Sequence, residues 1–239
     1  MILEIIEYIK FGDFDTKSKG WYLVSRDAPS PEEKEVLENL LYSQGVLDFS
    51  MMNGERYFNN RIITYEFKLP NTKYADRKTA EREIKSSLMR IGKSRLTDTH
   101  DEGFYWYGKC KSVKVQDDPQ KRALVATIEF SCYPFLIALD DFFDDIWDDF
   151  SFEYGVANWT KWTIKSKQVV PIYNPGDTTI IPKVISSSNI VIEHNGSAYQ
   201  FSKGEQENVL LKIPPKQLAL FTITGIADVS FRFSREVLG

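Results

Sequence analysis

Along much of this chain hydrophobic and polar residues alternate, and the alternation predicts strands. Phe104, Trp106, Gly108 and Cys110 fall on one side of one run, with Tyr105, Tyr107, Lys109 and Lys111 on the other. Leu124, Ala126, Ile128, Phe130 and Cys132 share a face of the next. A period of two is the mark of a half-buried strand. Residues 105–115 and 122–132 therefore read as an antiparallel hairpin turning at Asp117-Asp118-Pro119-Gln120. Shorter strands are expected at 3–11 and 20–24. From 159 onward, strands are expected at 169–173, 178–184, 189–193, 198–202, 209–212, 218–224 and 228–233. Asn174-Pro175-Gly176, Asn195-Gly196, Lys203-Gly204 and Pro214-Pro215 punctuate them. Short strands at near-regular spacing point to a β-sandwich.

Helical periodicity is clearest over 72–91, where Ala80, Ile84, Leu88 and Ile91 form one apolar stripe. Asp76 can cap this helix, Gly92 can end it, and Arg77, Lys78, Glu81, Arg82, Glu83 and Lys85 cover its other face as a solvated surface. A second segment, 32–41, is open to two readings. Val36, Leu37, Leu40 and Leu41, with Ser30 and Glu33 at capping-box spacing and Pro31 at the first helical position, suit a helix. An extended crossing strand suits them too.

The stretch 44–67, QGVLDFSMMNGERYFNNRIITYEF, is predicted to be a hairpin about Asn53-Gly54, a pair that tolerates the positive φ of a two-residue turn. It mixes exposed-type residues (Gln44, Asp48, Arg56, Arg61) with large apolar ones (Phe49, Tyr57, Phe58). A protruding hairpin that packs on another subunit needs that mixture of aromatic and Arg anchors in polar surroundings. These seven residues are the candidate oligomer contacts.

Residues 139–150, LDDFFDDIWDDF, alternate pairs of aspartates with aromatic and aliphatic residues. Three readings compete. A calcium loop fails because Phe142 stands where a ligand is needed and the loop glycine is missing. A catalytic carboxylate pair lacks any sign of a pocket. An acidic connector docked by its aromatics needs neither, and composition favours it.

Composition narrows the function. With 239 residues the chain is long enough for one large or two smaller β domains. A net charge of −4 argues against a general nucleic-acid binder. The first ten residues lack the basic start and apolar run of a signal peptide, and no stretch is apolar enough to span a membrane, so folding in a cytoplasm is expected. Cys110 is expected opposite a residue near Thr127, which puts Cys132 about 17 Å along the strand. A disulfide needs Cα atoms within about 7 Å, so both are expected as buried thiols. His100 and His194 sit in polar turns, and no nucleophile elbow, phosphate loop, dinucleotide fingerprint or zinc spacing occurs. No catalytic residue, metal or cofactor is therefore expected, although a carboxylate glycosidase leaves no local motif. Trp159, Trp162, Tyr173 and Tyr199 could stack on sugar rings, which makes a carbohydrate-binding module the rival reading for 159–239.

Several of these segments carry a resemblance. Gln44–Ser50, Arg56-Tyr57-Phe58 and Arg61–Phe67 resemble the N-terminal region of the distal tail proteins of siphophages. So do Tyr105-Trp106-Tyr107-Gly108 and Ile128–Phe135, the latter with a phenylalanine–cysteine–proline-like close. Asn174-Pro175-Gly176 and Val229–Phe233 are similar to the family's C-terminal galectin-like domain. The resemblance implies a mainly β chain, with a tail-tube-like β-sandwich carrying one helix and a protruding hairpin over 1–138. A connector at 139–158 and a galectin-like β-sandwich over 159–239 would follow. It implies a homo-hexameric ring at the tail tip of the virion, around a channel through which DNA passes without specific binding. The implied partners are tail tube protein, tape-measure protein, tail-associated tip protein and receptor-binding proteins. No inserted carbohydrate-binding module is evident, which favours a hub over direct host binding.

Overall fold

The structure is a computed structural model that describes residues 4–51, 54–70, 73–139, 150–151, 156–157 and 161–239. The expected acidic connector over 139–158 lies, but for Leu139 and the backbone of 150–151 and 156–157, outside the described residues. Among the described residues the protein is mainly β with one helix, and its chain divides into two compact units, residues 1–136 with 238–239, and residues 137–237.

The first unit holds β1 (Ile9–Phe11), β2 (Phe14–Asp15), β3 (Tyr22–Asp27), β4 (Leu37–Glu38), β5 (Leu47–Asp48), β6 (Arg61–Leu69), α1 (Tyr74–Arg90), β7 (Ser94–Asp98), β8 (Phe104–Asp118) and β9 (Ala123–Cys132). Its main antiparallel sheet runs β2-β1-β7-β8-β9-β6-β3. In a flat sheet three strand steps span about 14 Å. Yet the rings of Phe11 on β1 and Phe130 on β9, three steps apart, lie 5.0 Å centroid to centroid. The sheet therefore folds over on itself and encloses Ile9, Phe11, Ile63, Tyr65, Phe67, Trp106, Ile128 and Phe130, all buried.

The period-two pattern explains β6 and β9, in which buried positions alternate with half-buried ones along almost their whole length. In the β8–β9 hairpin the turn falls later than the sequence suggests, at 119–122, and β8 bulges between Cys110 and Ser112. Cys110 thus faces Phe130, and Cys132 faces Gly108, which puts the two cysteines two positions apart rather than five. Diagonal neighbours stand about 7–8 Å apart, still beyond disulfide reach, and both are free buried thiols. Gly108 permits the close approach. A Cβ there would lie 2.7 Å from both Cα and Sγ of Cys132 and would strike the Ser131 carbonyl.

Helix α1 buries Ile84 and Leu88 as the stripe predicts. Arg77, expected on the solvated face, is buried as well, its Nε donating to Oδ1 of Asp117 at 2.7 Å. Asp76 sits in the first turn, whereas Lys73 holds the cap position and no side chain caps the helix.

The second unit holds β10 (Leu136–Ala138, beginning in the first unit), β11 (Phe150–Ser151), β12 (Val156–Ala157), β13 (Lys161–Ile164), β14 (Lys167–Tyr173), β15 (Lys183–Ser186), β16 (Ile190–His194), β17 (Ser197–Phe201), β18 (Gly204–Glu207), β19 (Leu218–Thr224), β20 (Ala227–Arg232) and β21 (Glu236–Val237). Two four-stranded antiparallel sheets, β13-β20-β15-β18 and β14-β19-β16-β17, enclose a core of Val170, Ile172, Ile192, Phe221, Ile223, Val229 and Phe231. This is a β-sandwich. Asn174 pins one end of it. Its side-chain amide donates to the carbonyls of Thr178, Ile213 and Pro214 at 2.8–3.1 Å, and its Oδ1 accepts the Gly176 N–H at 2.9 Å. The strand expected at 209–212 does not form. Leu211 is buried there, the neighbouring Ile213 bridges to Ile180, and β18 takes the edge position instead.

Candidate partner-docking arm

Between β3 and β6 the chain leaves the main sheet and folds on itself over 32–59. The outgoing and returning runs pair antiparallel. Glu33 bridges to Phe58, the Lys34 N–H donates to Tyr57 O at 2.7 Å, and Leu37 and Glu38 of β4 face Asp48 and Leu47 of β5. The Asn59 N–H closes the base on Glu32 O at 2.8 Å. Buried Ser50 ties the two runs, its hydroxyl accepting the Val36 N–H at 2.8 Å.

This decides one reading and corrects another. Over 32–38 the extended reading holds and the helical one does not, because those backbone groups pair with the returning run, and Leu41 lies in a turn. The hairpin expected over 44–67 does not form as such. β6 is an interior strand with β9 on one edge and β3 on the other, so it has no edge left for 46–52. Residues 47–49 pair with 36–38 instead. Gly54 has the positive φ expected of it (78°), and its N–H donates to Met51 O.

The arm keeps almost nothing dry. Val36, Leu37, Leu40, Leu41, Tyr42, Val46, Leu47, Phe49, Met51 and Tyr57 are all substantially exposed, Leu41 to 88%. Single exposed apolar residues are ordinary, but a contiguous run of this length marks a contact surface. The arm is also acidic. Residues 32–59 carry six acids and two bases, a net −4, and the other residues of the chain, with 28 of each sign, sum to zero.

Of the expected contact residues, Gln44, Asp48, Phe49, Arg56 and Tyr57 lie exposed on the arm. Asp48 accepts the Ser50 N–H at 2.8 Å, and hydrogen bonds from the Ser50 side chain and amide hold its carboxyl below the ordinary range. Arg56 pairs with Glu33 across the two runs and lies over the Phe58 ring. Phe58 is half-buried, edge-on to Phe135 at 5.8 Å. Arg61 is a correction. It is buried in the first unit, where it donates to the carbonyls of Ala28, Pro134, Leu238 and Gly239 and lies 4.3 Å over the Trp106 ring. Burial is the largest influence on its guanidinium and lowers its pKa. Alternation hid this residue, since an Arg at a core position of a strand reads as exposed.

Two of the residues expected to meet sugar, Trp162 on edge strand β13 and Tyr199 on edge strand β17, are placed on different sheets, and both pack against the hydrophobic core. A third, Trp159, lies outside the described residues. Among the described residues, no group of three or more His, Cys, Asp and Glu could hold a metal, and no helix is long and apolar enough to cross a membrane.

No protein-family model and no curated protein matches the chain. Solved structures do match it. The crystal structure of SPP1 Dit, described as a paradigm of the hub adsorption apparatus in phages infecting Gram-positive bacteria, aligns with a TM-score of 0.68 at 10% identity, over 96% of this chain and 99% of that one. A chain of the phage P2 baseplate, activated with Ca, aligns at 0.44 and 10% identity, covering 96% of this chain and 97% of its own. Its counterpart with Sr aligns at 0.43 and 9% identity, covering 95% and 98%. Over nearly its whole length, then, this protein has the fold of the SPP1 Dit protein.

Proposed function

We propose that this protein is a structural hub of a siphophage tail tip, assembling through its arm into a homo-hexameric ring that joins the tail tube to the tip and its receptor-binding proteins. The observation that carries the reading is the arm itself, a long run of exposed apolar residues on a chain of Dit-like fold. Apolar surface of this kind gains stability by being covered, and a second copy of the same chain is the partner always present at matching concentration.

The role is scaffolding rather than catalysis. In this reading the first unit is the tube-like, ring-forming part and the second is a galectin-like sandwich. Tail tube, tape-measure and tail-associated tip proteins are its neighbours, and DNA passes through the ring without specific binding. The protein is made in the bacterial host cytoplasm and ends at the tail tip of the virion.

The test is the mass of the purified protein by light scattering over a range of concentrations. A hexamer, or a monomer that converts to one, supports the ring. A monomer throughout removes self-assembly and leaves a stand-alone binding module to be tested against wall polysaccharide.

A further inference from the structure

The most basic segment of the chain is α1 with its flanks. Residues 73–95 carry eight bases and three acids, a net +5. The acids are largely spent. Glu81 pairs with Lys78 and Lys85, and Glu83 pairs with Lys19. Arg77 and Lys78 also meet Asp117. Lys73, Arg82, Arg90 and Lys93 are exposed and make no ion pair among the described residues. Arg82, Ser86 and then Met89 and Arg90 stand three and four residues apart on the helix, so they form one outward stripe, with Lys93 just beyond the helix end. Two large apolar side chains stand exposed on the helix, Tyr74 at 66% and Met89 at 52%.

The arm is the opposite of this surface. Glu32, Glu35 and Glu38 on its outgoing run are exposed and meet no cation among the described residues, and they alternate with exposed Val36 and Leu37. We propose that the acidic arm of one copy docks on the basic outer stripe of α1 of a second copy, with Glu32 and Glu38, which share a face of the extended outgoing run, against Arg82 and Arg90, and with Val36 and Leu40 of that face against Met89. The inference rests on the arm being the self-association element and adds what receives it. Because the arm and the stripe are different patches of one chain, the contact is heterologous. Such contacts repeat head to tail and close when the rotation permits, as a ring requires.

Charge reversal tests it on the full chain. Sedimentation over a concentration series would compare wild type with Arg82→Glu/Arg90→Glu, with Glu32→Lys/Glu38→Lys, and with all four changes together. All four sites are exposed, and thermal melts check that each variant folds. Each pair of reversals is expected to weaken self-association at least about ten-fold, and the combination to restore it to within about three-fold. A separate Leu37→Ser/Tyr57→Ser variant tests the arm alone. If that variant dissociates while the helix reversal has no effect, or the combination rescues nothing, the helix is not the receiver and the arm reading stands. If it leaves association unchanged, or wild type never associates, the arm reading falls and this inference with it.

Discussion

The Tyr65 hydroxyl donates to Oδ2 of Asp98 at 2.6 Å and so ties β6 to β7, three places away in the same sheet. Arg26 Nε reaches the same oxygen at 2.6 Å, and the His100 N–H donates to Oδ1 at 3.0 Å. The Asp98 side chain is fully buried, so this carboxylate is the latch that holds the folded-over sheet shut. Burial alone would raise its pKa, but hydrogen bonds from the His100 amide, Tyr65 and Arg26 together outweigh burial and lower it.

A depressed carboxyl pKa stabilises the fold above the unfolded value of about 3.9 and ceases to do so as pH falls through the folded value. Asp98→Asn is therefore expected to cost about 3 kcal/mol at pH 7, near the lower end for breaking a buried pair. The deficit should shrink below about pH 4. Urea melts of both proteins from pH 7 to pH 3 would measure it. A deficit that stays constant with pH would mean that the carboxylate charge is not what holds the latch.

Burial pushes the thiol of Cys110 up to about 11 and that of Cys132 up to about 12. The thiolate is the reactive form. At pH 8 the folded protein is expected to resist iodoacetamide, and to take up two labels once guanidinium unfolds it. Mass spectrometry reads the count directly. A single label on the native protein would show that one of the two is open to solvent.

Gly108→Ala should be among the most damaging single changes in the first unit. Its Cβ would meet backbone atoms of Ser131 and Cys132, which cannot swing aside. A loss of about 3 kcal/mol is expected, the upper end for overpacking. Gly92→Ala, where nothing stands within 4 Å, is the control and should be neutral or stabilising by up to about 1 kcal/mol. Thermal melts of the two variants side by side would decide. Similar stabilities would mean that β9 can move away from β8.

How much of this was legible in the sequence depended on whether a segment buries one face. The strand expected at 218–224 is β19, and the stripe containing Ile84 and Leu88 is buried in α1, because both carry a strong period that packing then uses. The sequence's mixture of polar and large apolar residues over 44–58 matches the exposure of Phe49, Met51 and Tyr57 on the arm. The arm's pairing was not legible, because a segment with both faces exposed has no buried face to set the register. The β8–β9 register differs for another reason: the turn falls at 119–122 rather than 117–120, which shifts the pairing by four residues, and the bulge between Cys110 and Ser112 takes back one. Arg61 and Arg77 were misplaced because burial of a charged side chain depends on partners far along the chain. For Arg61 those partners are the carbonyls of Ala28 and Gly239, and for Arg77 the carboxylate of Asp117.

Arg61 and Tyr57 stand four positions apart and should fail in opposite ways. Tyr57 lies on the arm, 46% exposed, so Tyr57→Ala should change the monomer's stability by no more than about 0.5 kcal/mol. Its effect should appear as weaker self-association. Arg61→Ala should do the reverse. It would leave four backbone carbonyls without their donor and strip the cation from the Trp106 ring, at a cost of about 3 kcal/mol. Arg61→Lys should recover only part of that, because an ammonium cannot reproduce the flat fork of a guanidinium. Denaturant melts at low protein concentration separate the two effects from mass measurements at high concentration. If Tyr57→Ala unfolds the monomer, the arm is part of the fold and not a free docking element. If Arg61→Ala instead dissociates an otherwise stable protein, the original expectation of Arg61 as a contact residue returns.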